Sequence, residues 1–398
     1  MKLDKNQQAF LTLLKAGLWE KEARLLSSDG VDFTCVYKLA QGQSVAGLVA
    51  AGLERAVDFK VPQADAWAFG GYALHLEHRN RAMNEFVAWL IGMLRAGGVN
   101  AVLVKGQGIA QCYNRPLWRA PGDVDLLLDA DDYEKAKRLL IPMATRVESE
   151  FTFMKHVGMT LNGWVVELHG TMHSRLSRRI DNEIDKVQEG VLLRGEVRVW
   201  HNGDADVYLP APDADVIFVF THFLHHFFLE GVGLRQICDW CRLLWTFRDS
   251  LDCELLSRRL LEAGLMSEWR ASAGEIDVAL LERRLRAMGL MSEWRAFAAL
   301  AVDWLGMPAD AMPLYCGDGR WHRKGDRILA DVLAKGNFGR NESASRPEKQ
   351  RPYLLRKFVS AGRHLRELLR HFLIFPKDSV AFFTQVLRTG LNAAFRGE

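Results

Sequence analysis

An acidic pair interrupts the apolar run at residues 122–129, whose sequence is GDVDLLLD. Asp123 and Asp125 stand at alternate positions, so in a β-strand their side chains share one face, and Val124, Leu126 and Leu128 share the other. Burying two carboxylates on one face costs free energy unless a cation compensates them. The pair therefore predicts a strand whose polar face binds a hard divalent cation such as Mg²⁺. Two solvated aspartates at an exposed strand end are the alternative.

The chain before this pair carries groups suited to phosphate. Lys105 and Gly106 directly follow the strand-like run Ala101–Val104. A glycine at that point lets backbone N–H groups approach a phosphate, and the lysine adds a positive charge. Arg119 lies four residues before Asp123, and we expect its guanidinium to fork onto phosphate oxygens.

A second strand-like run supplies a third acid. In WVVELH, residues 164–169, alternation puts Glu167 and His169 on one face with Val165, and the other three apolar residues on the opposite face. A carboxylate on a neighbouring strand completes a set of three acids, provided that the fold brings the two strands together. A shared metal site requires the three carboxylates to converge within roughly 4–6 Å.

The periodicity of apolar residues divides the chain into three regions. Residues 1–98 repeat them every three or four positions, which predicts an N-terminal helical region. Residues 99–212 contain strand-like runs and one helix, and Asn162-Gly163 between two of the runs predicts a hairpin. Residues 213–398 are helical again. This order predicts an α+β fold with a small mixed β-sheet flanked by N-terminal and C-terminal helical lobes.

The C-terminal region contains one internal repeat of 25 residues. The segment at 257–271, SRRLLEAGLMSEWRA, recurs at 282–296 as ERRLRAMGLMSEWRA. Two copies are too few for a solenoid, which needs at least three. We interpret the repeat as a local tandem duplication that lengthened a helical hairpin, and assign it no function.

A histidine and charge cluster occupies residues 222–239. His222 and His226 share a helix face at a spacing that can bind metal, but their aromatic neighbours favour packing. Arg235 and Asp239 have the same spacing, which predicts an ion pair along one helix face.

Composition restricts the class of protein. Of the 398 residues 49% are hydrophobic and 25% charged, which is typical of a soluble globular protein. Six cysteines form no disulfide-like framework, and the C-x-x-C of Cys238 and Cys241 lies in a helical run where burial is favoured over redox or zinc chemistry. We find neither a signal peptide nor an apolar stretch of about 18 residues, so we expect a cytoplasmic protein without a membrane segment.

The order of motifs resembles a known family. Lys-Gly, Arg, Gly-Asp-Val-Asp-Leu-Leu-Leu and Val-Glu-Leu-His follow one another as in the uncharacterised nucleotidyltransferase-like family of the DNA polymerase β-type superfamily. The resemblance is most specific at Val104–Asp129 and Val166–His169, and a weaker likeness continues through His225–Trp240. On this likeness alone, His226 or Arg235 could line the acceptor pocket.

The resemblance implies a nucleotidyltransferase core and a set of site residues. In that superfamily a Gly-Ser turn binds the triphosphate, and a D-x-D pair with a third acid holds two Mg²⁺ ions. The implied catalytic and metal-binding acids are Asp123, Asp125 and Glu167, with Mg²⁺, or Mn²⁺ in its place, as cofactor. The implied nucleotide-binding residues are Lys105, Gly106, Arg119 and His169. Here Lys105-Gly106-Gln107-Gly108 stands where the family's Gly-Ser turn is expected.

Two functions follow from the resemblance. The preferred one is a Mg²⁺-dependent nucleotidyltransferase that moves a nucleoside monophosphate from a nucleoside triphosphate to an acceptor. The net charge of only +3 favours a small-molecule, peptide or protein acceptor over a long nucleic acid. The alternative is a catalytically inactive relative that binds a nucleotide or a partner protein. The altered turn favours the alternative, whereas three convergent acids favour the enzyme.

Overall fold

The computed structural model describes residues 1–25, 30–150, 155–229, 231–248, 276–337 and 369–384. Within these ranges, one mixed sheet lies between helical layers, which confirms the predicted α+β class. The strands are β1 (Val102–Val104), β2 (Val124–Leu127), β3 (Arg146–Val147), β4 (His156–Leu161), β5 (Trp164–His169), β6 (Val197–Asn202) and β7 (Ala205–Pro210). The helices are α1 (Lys5–Trp19), α2 (Phe33–Gly42), α3 (Ala46–Leu53), α4 (Gln63–Ala96), α5 (Gly106–Ala110), α6 (Ala130–Leu140), α7 (Arg178–Leu193), α8 (Pro212–Leu229), α9 (Leu234–Thr246), α10 (Val278–Met288), α11 (Met291–Leu305) and α12 (Gly319–Lys335).

The strand order is β3-β4-β5-β2-β1-β7-β6, so the acidic strand β2 is central. It pairs in parallel with β5 and antiparallel with β1. The parallel register sets Asp125 opposite Glu167, which are 42 positions apart in the chain. This pairing joins the two acidic runs that the sequence leaves separate.

Alternation along the strands gives the sheet two different faces. Val124 and Leu126 pack on one face against α4 and α6, in an apolar cluster of their own. Val104 and Leu127 turn to the other face, where they join the larger core formed with α8 and α9. Asp125 shares the face of Leu127, because the two residues are two positions apart. The acidic side chains therefore project between the sheet and the C-terminal helices.

The predicted hairpin is confirmed. β4 and β5 pair antiparallel across the turn, with Leu161 opposite Trp164. Asn162 and Gly163 both have positive φ, 49° and 83°, as a type I′ turn requires. In the sequence the strand-like run before this turn extends from about residue 151 to residue 160, and residues 151–154 lie outside the described residues.

A second hairpin, β6–β7, was missed from the sequence. Its two-residue turn is Gly203-Asp204, with Asn202 opposite Ala205. Gly-Asp between two runs that alternate apolar and polar residues is a hairpin signal of the same kind. β7 joins β1 in parallel and so extends the sheet beyond the predicted strands.

The N-terminal lobe begins with a helix that the sequence specifies well. Asp4 caps α1 by accepting from the backbone N–H of Gln7, and the Gln7 side chain accepts from the Asp4 N–H. This reciprocal pair is a capping box. α1 then packs on α3 so closely that a Cβ at Gly52 would lie 1.9 Å from the carbonyl oxygen of Leu13.

In the C-terminal region, the described residues from α8 onward are mainly helical, as predicted. The second copy of the duplication, residues 282–296, forms the end of α10 and the start of α11, with Gly289 in the left-handed region between them. The first copy, at 257–271, lies outside the described residues. The domain boundaries near residues 98 and 212 stay a prediction. Among the described helices, none combines the length and the apolar character needed to cross a membrane.

Candidate active site

Three carboxylates converge at the polar face of the sheet. Asp123 precedes β2, Asp125 lies within it, and Glu167 lies opposite Asp125 on β5. One oxygen from each carboxylate can be chosen so that all three lie within 4.8 Å of one another. The geometric condition for a shared metal site is therefore met.

Lys105 projects into the same cluster from the end of β1. Its Nζ donates to Asp125 Oδ1 at 2.9 Å. The Lys-Gly turn has an unusual backbone, with a φ of 60° at Lys105 and 43° at Gly106. A Cβ at residue 106 would lie 3.3 Å from the carbonyl oxygen of Asp123, so the glycine lets the turn pack against the acidic strand. The turn thus brings an ammonium group to the acidic face of the sheet.

Two histidines complete the cluster. His169 Nε2 donates to Asp125 Oδ1 at 2.8 Å and lies 3.4 Å from Glu167 Oε2. His156, on β4, places its Nε2 3.2 Å from the same Glu167 oxygen. Sequence reasoning missed His156. The signal was available, because counting back from the Asn-Gly turn pairs His156 with His169.

The charged groups of the cluster shift one another's pKa values, and two of the three acids are held in the ionised form. Burial disfavours the carboxylate of Asp125, but the Lys105 ammonium and the bond from His169 outweigh it and lower the Asp125 pKa. Burial opposes ionisation of Glu167 too, yet hydrogen bonds from His156 and His169 lower its pKa. The charge of Asp125, together with burial, raises the pKa of Asp123. The cluster is thus a compensated set of opposite charges.

Arg119 lies near the acid cluster, but its guanidinium is bonded to another acid of the protein. It is 5% exposed, and its Nε and Nη2 donate to the two oxygens of Asp239, both at 2.8 Å. The hydroxyl of Tyr113 donates to the same carboxylate at 2.8 Å. The guanidinium fork that we expected to bind phosphate therefore binds α9.

The predicted ion pair between Arg235 and Asp239 is wrong. Asp239 is taken by Arg119, and Arg235 Nη1 instead donates to the carbonyls of Ala120 and Pro121, both at 3.3 Å. Helical spacing shows only which residues are neighbours within α9. The packing of α9 on the segment before β2 brings Arg119 to Asp239, and Arg119 takes the place predicted for Arg235. Cys238 and Cys241, on the same helix, are fully buried.

A cavity of about 480 Å³ opens over the acid cluster. The acids, Lys105 and His169 form one side. Helices α8 and α9 form the other, with His222, His226 and Arg235. His222 and His226 place their Nε2 atoms 3.2 Å apart, and burial, with Lys105 nearby, lowers the His222 pKa well below its usual value. The cavity therefore combines an acidic floor with a wall of nitrogen groups, and its size suits a small ligand.

Comparison with known proteins agrees with this geometry. A family model described as uncharacterised nucleotidyltransferase matches residues 29–272, more than half of the 398 residues. The match spans the sheet, the acid cluster and α9. No curated protein and no solved structure matches the chain. On its family match, the chain belongs to the uncharacterised nucleotidyltransferases.

Proposed function

We propose that this protein is a divalent-metal-dependent nucleotidyltransferase that transfers a nucleoside monophosphate from a nucleoside triphosphate to an acceptor. The carrying observation is the convergence of the three carboxylates, with oxygens within 4.8 Å of one another. Membership of the family supports nucleotidyl transfer in general. A protein that only bound nucleotide would have little need for three convergent acids.

The oxygen donors fit the implied metal. Asp123, Asp125 and Glu167 would hold it, since Mg²⁺ and Mn²⁺ prefer carboxylate oxygens. When bound, divalent ions neutralise phosphate charge and assist in-line displacement. His169 and His156 hydrogen-bond to these carboxylates and would keep them oriented, as groups around metal ligands commonly do. We therefore propose His169 as a positioning residue.

The other residues would position the substrates. The acceptor oxygen attacks the α-phosphorus, forming one P–O bond while the bond to pyrophosphate breaks. Pyrophosphate leaves, and the acceptor proton passes to a carboxylate of the trio. Lys105 and the backbone of Gly106 stand beside the acids, where the triphosphate would lie. Arg119 has no place in this set, because its fork binds Asp239.

The proposed acceptor is a small molecule, peptide or protein. The net charge is +3, which is too small to argue for a polyanionic nucleic acid. The cavity of about 480 Å³ is within the range of small-molecule sites.

One observation favours a second candidate, a binding protein without transfer activity. The Lys105 ammonium already bonds Asp125, one of the acids that would hold the metal. A cationic side chain that permanently replaced the metal would leave a nucleotide site without catalysis. In that case nucleotide binding would be independent of divalent metal.

Label transfer separates the two candidates. The protein is incubated with Mg²⁺ or Mn²⁺, each α-labelled nucleoside triphosphate, and cell extract as the source of acceptors. We expect transfer that falls at least 100-fold in Asp123→Asn and Asp125→Asn, since each variant removes a metal-binding charge. Glu134→Gln, in α6 away from the cavity, is the matched control and should transfer normally. Metal-independent nucleotide binding with no labelled product would contradict the proposal.

A further inference from the structure

Arg235 is a partly buried arginine that forms no salt bridge with an acid among the described residues. Its Nη1 reaches two backbone carbonyls at 3.3 Å, but its Nε is buried and has no hydrogen-bond acceptor. Burial lowers the pKa of this guanidinium. Arginine nevertheless stays protonated in proteins. The charges of Asp239 and Asp123 favour the guanidinium from nearby, but neither carboxylate accepts a hydrogen bond from it. Leaving a buried donor without an acceptor is costly, and a ligand anion could supply that acceptor.

Two other buried arginines each bind a carboxylate of the protein. Arg119 binds Asp239 through Nε and Nη2, and Arg198 bonds Asp215 at 2.6 Å through Nη2, although its Nε has no acceptor. Arg242, on the same helix as Arg235, donates to three protein oxygens and needs no anion. Arg235 differs because its Nε and Nη2, the side-on fork that Arg119 uses for Asp239, make no hydrogen bond to any described residue.

The free fork lies at the acidic end of the cavity. Arg235 lines the cavity together with Gly122, the residue before Asp123. A Cβ at Gly122 would lie 3.7 Å from Nη1 and 3.9 Å from Nη2, so the guanidinium is close to the start of the acidic strand. In the proposed reaction this is the end where the phosphates must lie, since the acids have to reach the α-phosphorus.

We propose that Arg235 binds the phosphate chain of the nucleotide, with Nε and Nη2 donating to phosphate oxygens. Planar, bidentate donation to phosphate is what a guanidinium fork does best. This inference rests on the proposed function for the identity of the ligand. The sequence suggested Arg119 for the phosphate contact, and the proposal assigns that contact to Arg235 instead. Because Arg235 lies on α9, the C-terminal helices would contribute to the nucleotide site.

Binding of inorganic tripolyphosphate tests the inference, because this probe has phosphates but no base or sugar. Calorimetric titrations in Mg²⁺ compare the wild type with Arg235→Gln and Arg235→Lys. Loss of two charge-assisted hydrogen bonds should weaken binding by about 10- to 100-fold in Arg235→Gln. Arg235→Lys keeps the charge without the fork, so its affinity should fall between the two. ATP should show the same order, and AMP should change less than ATP.

Arg242→Lys is the matched control, because Arg242 is also buried on α9 but its donors bond protein oxygens. We expect it to lower the unfolding temperature while tripolyphosphate affinity stays within about 3-fold of wild type. Unfolding temperatures of all variants without ligand show whether each is folded. If Arg235→Gln unfolds, Arg235→Lys carries the test.

Two results would overturn the inference: tripolyphosphate affinity within about 3-fold of wild type in both Arg235 variants, or no binding of tripolyphosphate and ATP by the wild type. These outcomes differ from failure of the proposed function. A wild type that transfers label while the Arg235 variants bind normally refutes only the role of Arg235. A wild type that binds tripolyphosphate through Arg235 without transferring label refutes only the enzyme.

Discussion

Lys105 occupies a position that conflicts with local backbone preferences. Its φ of 60° with a ψ of −147° lies outside the regions that residues other than glycine normally adopt. Strain of this kind costs about 1–3 kcal/mol and persists where the surroundings impose it. Here the turn sets the ammonium 2.9 Å from Asp125. The ammonium thus offsets part of the negative charge of the acid cluster, as a bound cation would.

Removing that ammonium should strengthen metal binding. In Lys105→Met, no fixed positive charge competes at Asp125, so affinity for Mn²⁺ without nucleotide should rise by roughly 10-fold or more. One unit charge a few ångströms away is worth about 1–4 kcal/mol at protein-like dielectric. Mn²⁺ titration followed by electron paramagnetic resonance measures the change. Lys135→Met, which removes an exposed lysine from α6, is the control, and unchanged or weaker binding in Lys105→Met would contradict this account.

Asp215, which lies outside the candidate site, should make the free energy of unfolding depend on pH. It bonds Arg198 at 2.6 Å, yet burial raises its pKa from 3.8 to about 6. The folded protein therefore holds this proton more tightly than the unfolded chain, and stability from this group falls as pH rises from 4 through 6. Between pH 5 and pH 7 the loss should be about 1 kcal/mol.

Asp215→Asn should remove that dependence, because an amide does not titrate. Urea unfolding at pH 5 and pH 7 measures both proteins, and the difference between their free energies of unfolding isolates Asp215 from other groups. A difference that is equal at the two pH values would show that the pKa of Asp215 is not raised in the folded state.

At the scale of the elements, the N-terminal lobe depends on backbone contact between α1 and α3. At Gly52 and at Gly17 an added Cβ would meet backbone oxygens of the facing helix at 1.9 and 1.8 Å. Backbone atoms cannot move aside as a flexible side chain would, so the two helices would have to separate. The small residues thus set the distance between the helices.

Gly52→Ala should lower the free energy of unfolding by about 2 kcal/mol or more, since overpacking outweighs the helix propensity that alanine gains. Gly92→Ala in α4 is a contrasting control, because a Cβ there meets nothing within 4 Å. It should stabilise the protein by about 0.5–1 kcal/mol. Urea unfolding compares the two, and a stable Gly52→Ala protein would refute the close packing of α1 on α3.

Across the whole molecule, the bond between Arg119 and Asp239 fastens the sheet region to the C-terminal helices. Both side chains are buried, and the pair is bidentate. Removing one member of a buried pair leaves the other charge uncompensated. In this protein it would leave Arg119 near Arg235, a second cation whose charge Asp239 also favours.

Asp239→Asn should therefore destabilise the protein by about 3–5 kcal/mol. Replacing both members, as Arg119→Met with Asp239→Leu, should cost less than this single change, because no charge then stays buried alone. Free energies of unfolding in urea measure the three proteins. If the double variant is less stable than Asp239→Asn, the cost of leaving Arg119 unpaired does not explain the loss, and the ion pair itself stabilises the fold.

The site was predictable where its parts depend on local pattern. The alternation of side chains along a strand put Asp123 with Asp125 and Glu167 with His169. The Asn-Gly turn fixed the hairpin, although the register that brings His156 to His169 was overlooked. The Gly-Asp turn of the second hairpin carried a similar signal and was also overlooked.

The sequence by itself determined strands β1, β2, β4 and β5, the hairpin at Asn162-Gly163, and which acids share a face of the sheet. Only the tertiary structure decided which arginine meets Asp239 and which keeps its fork free. The physical reason is distance along the chain, since Arg119 and Asp239 are 120 residues apart. A buried charge pairs with the opposite charge that helix packing brings close to it, and the spacing of residues along the chain does not indicate which one that is.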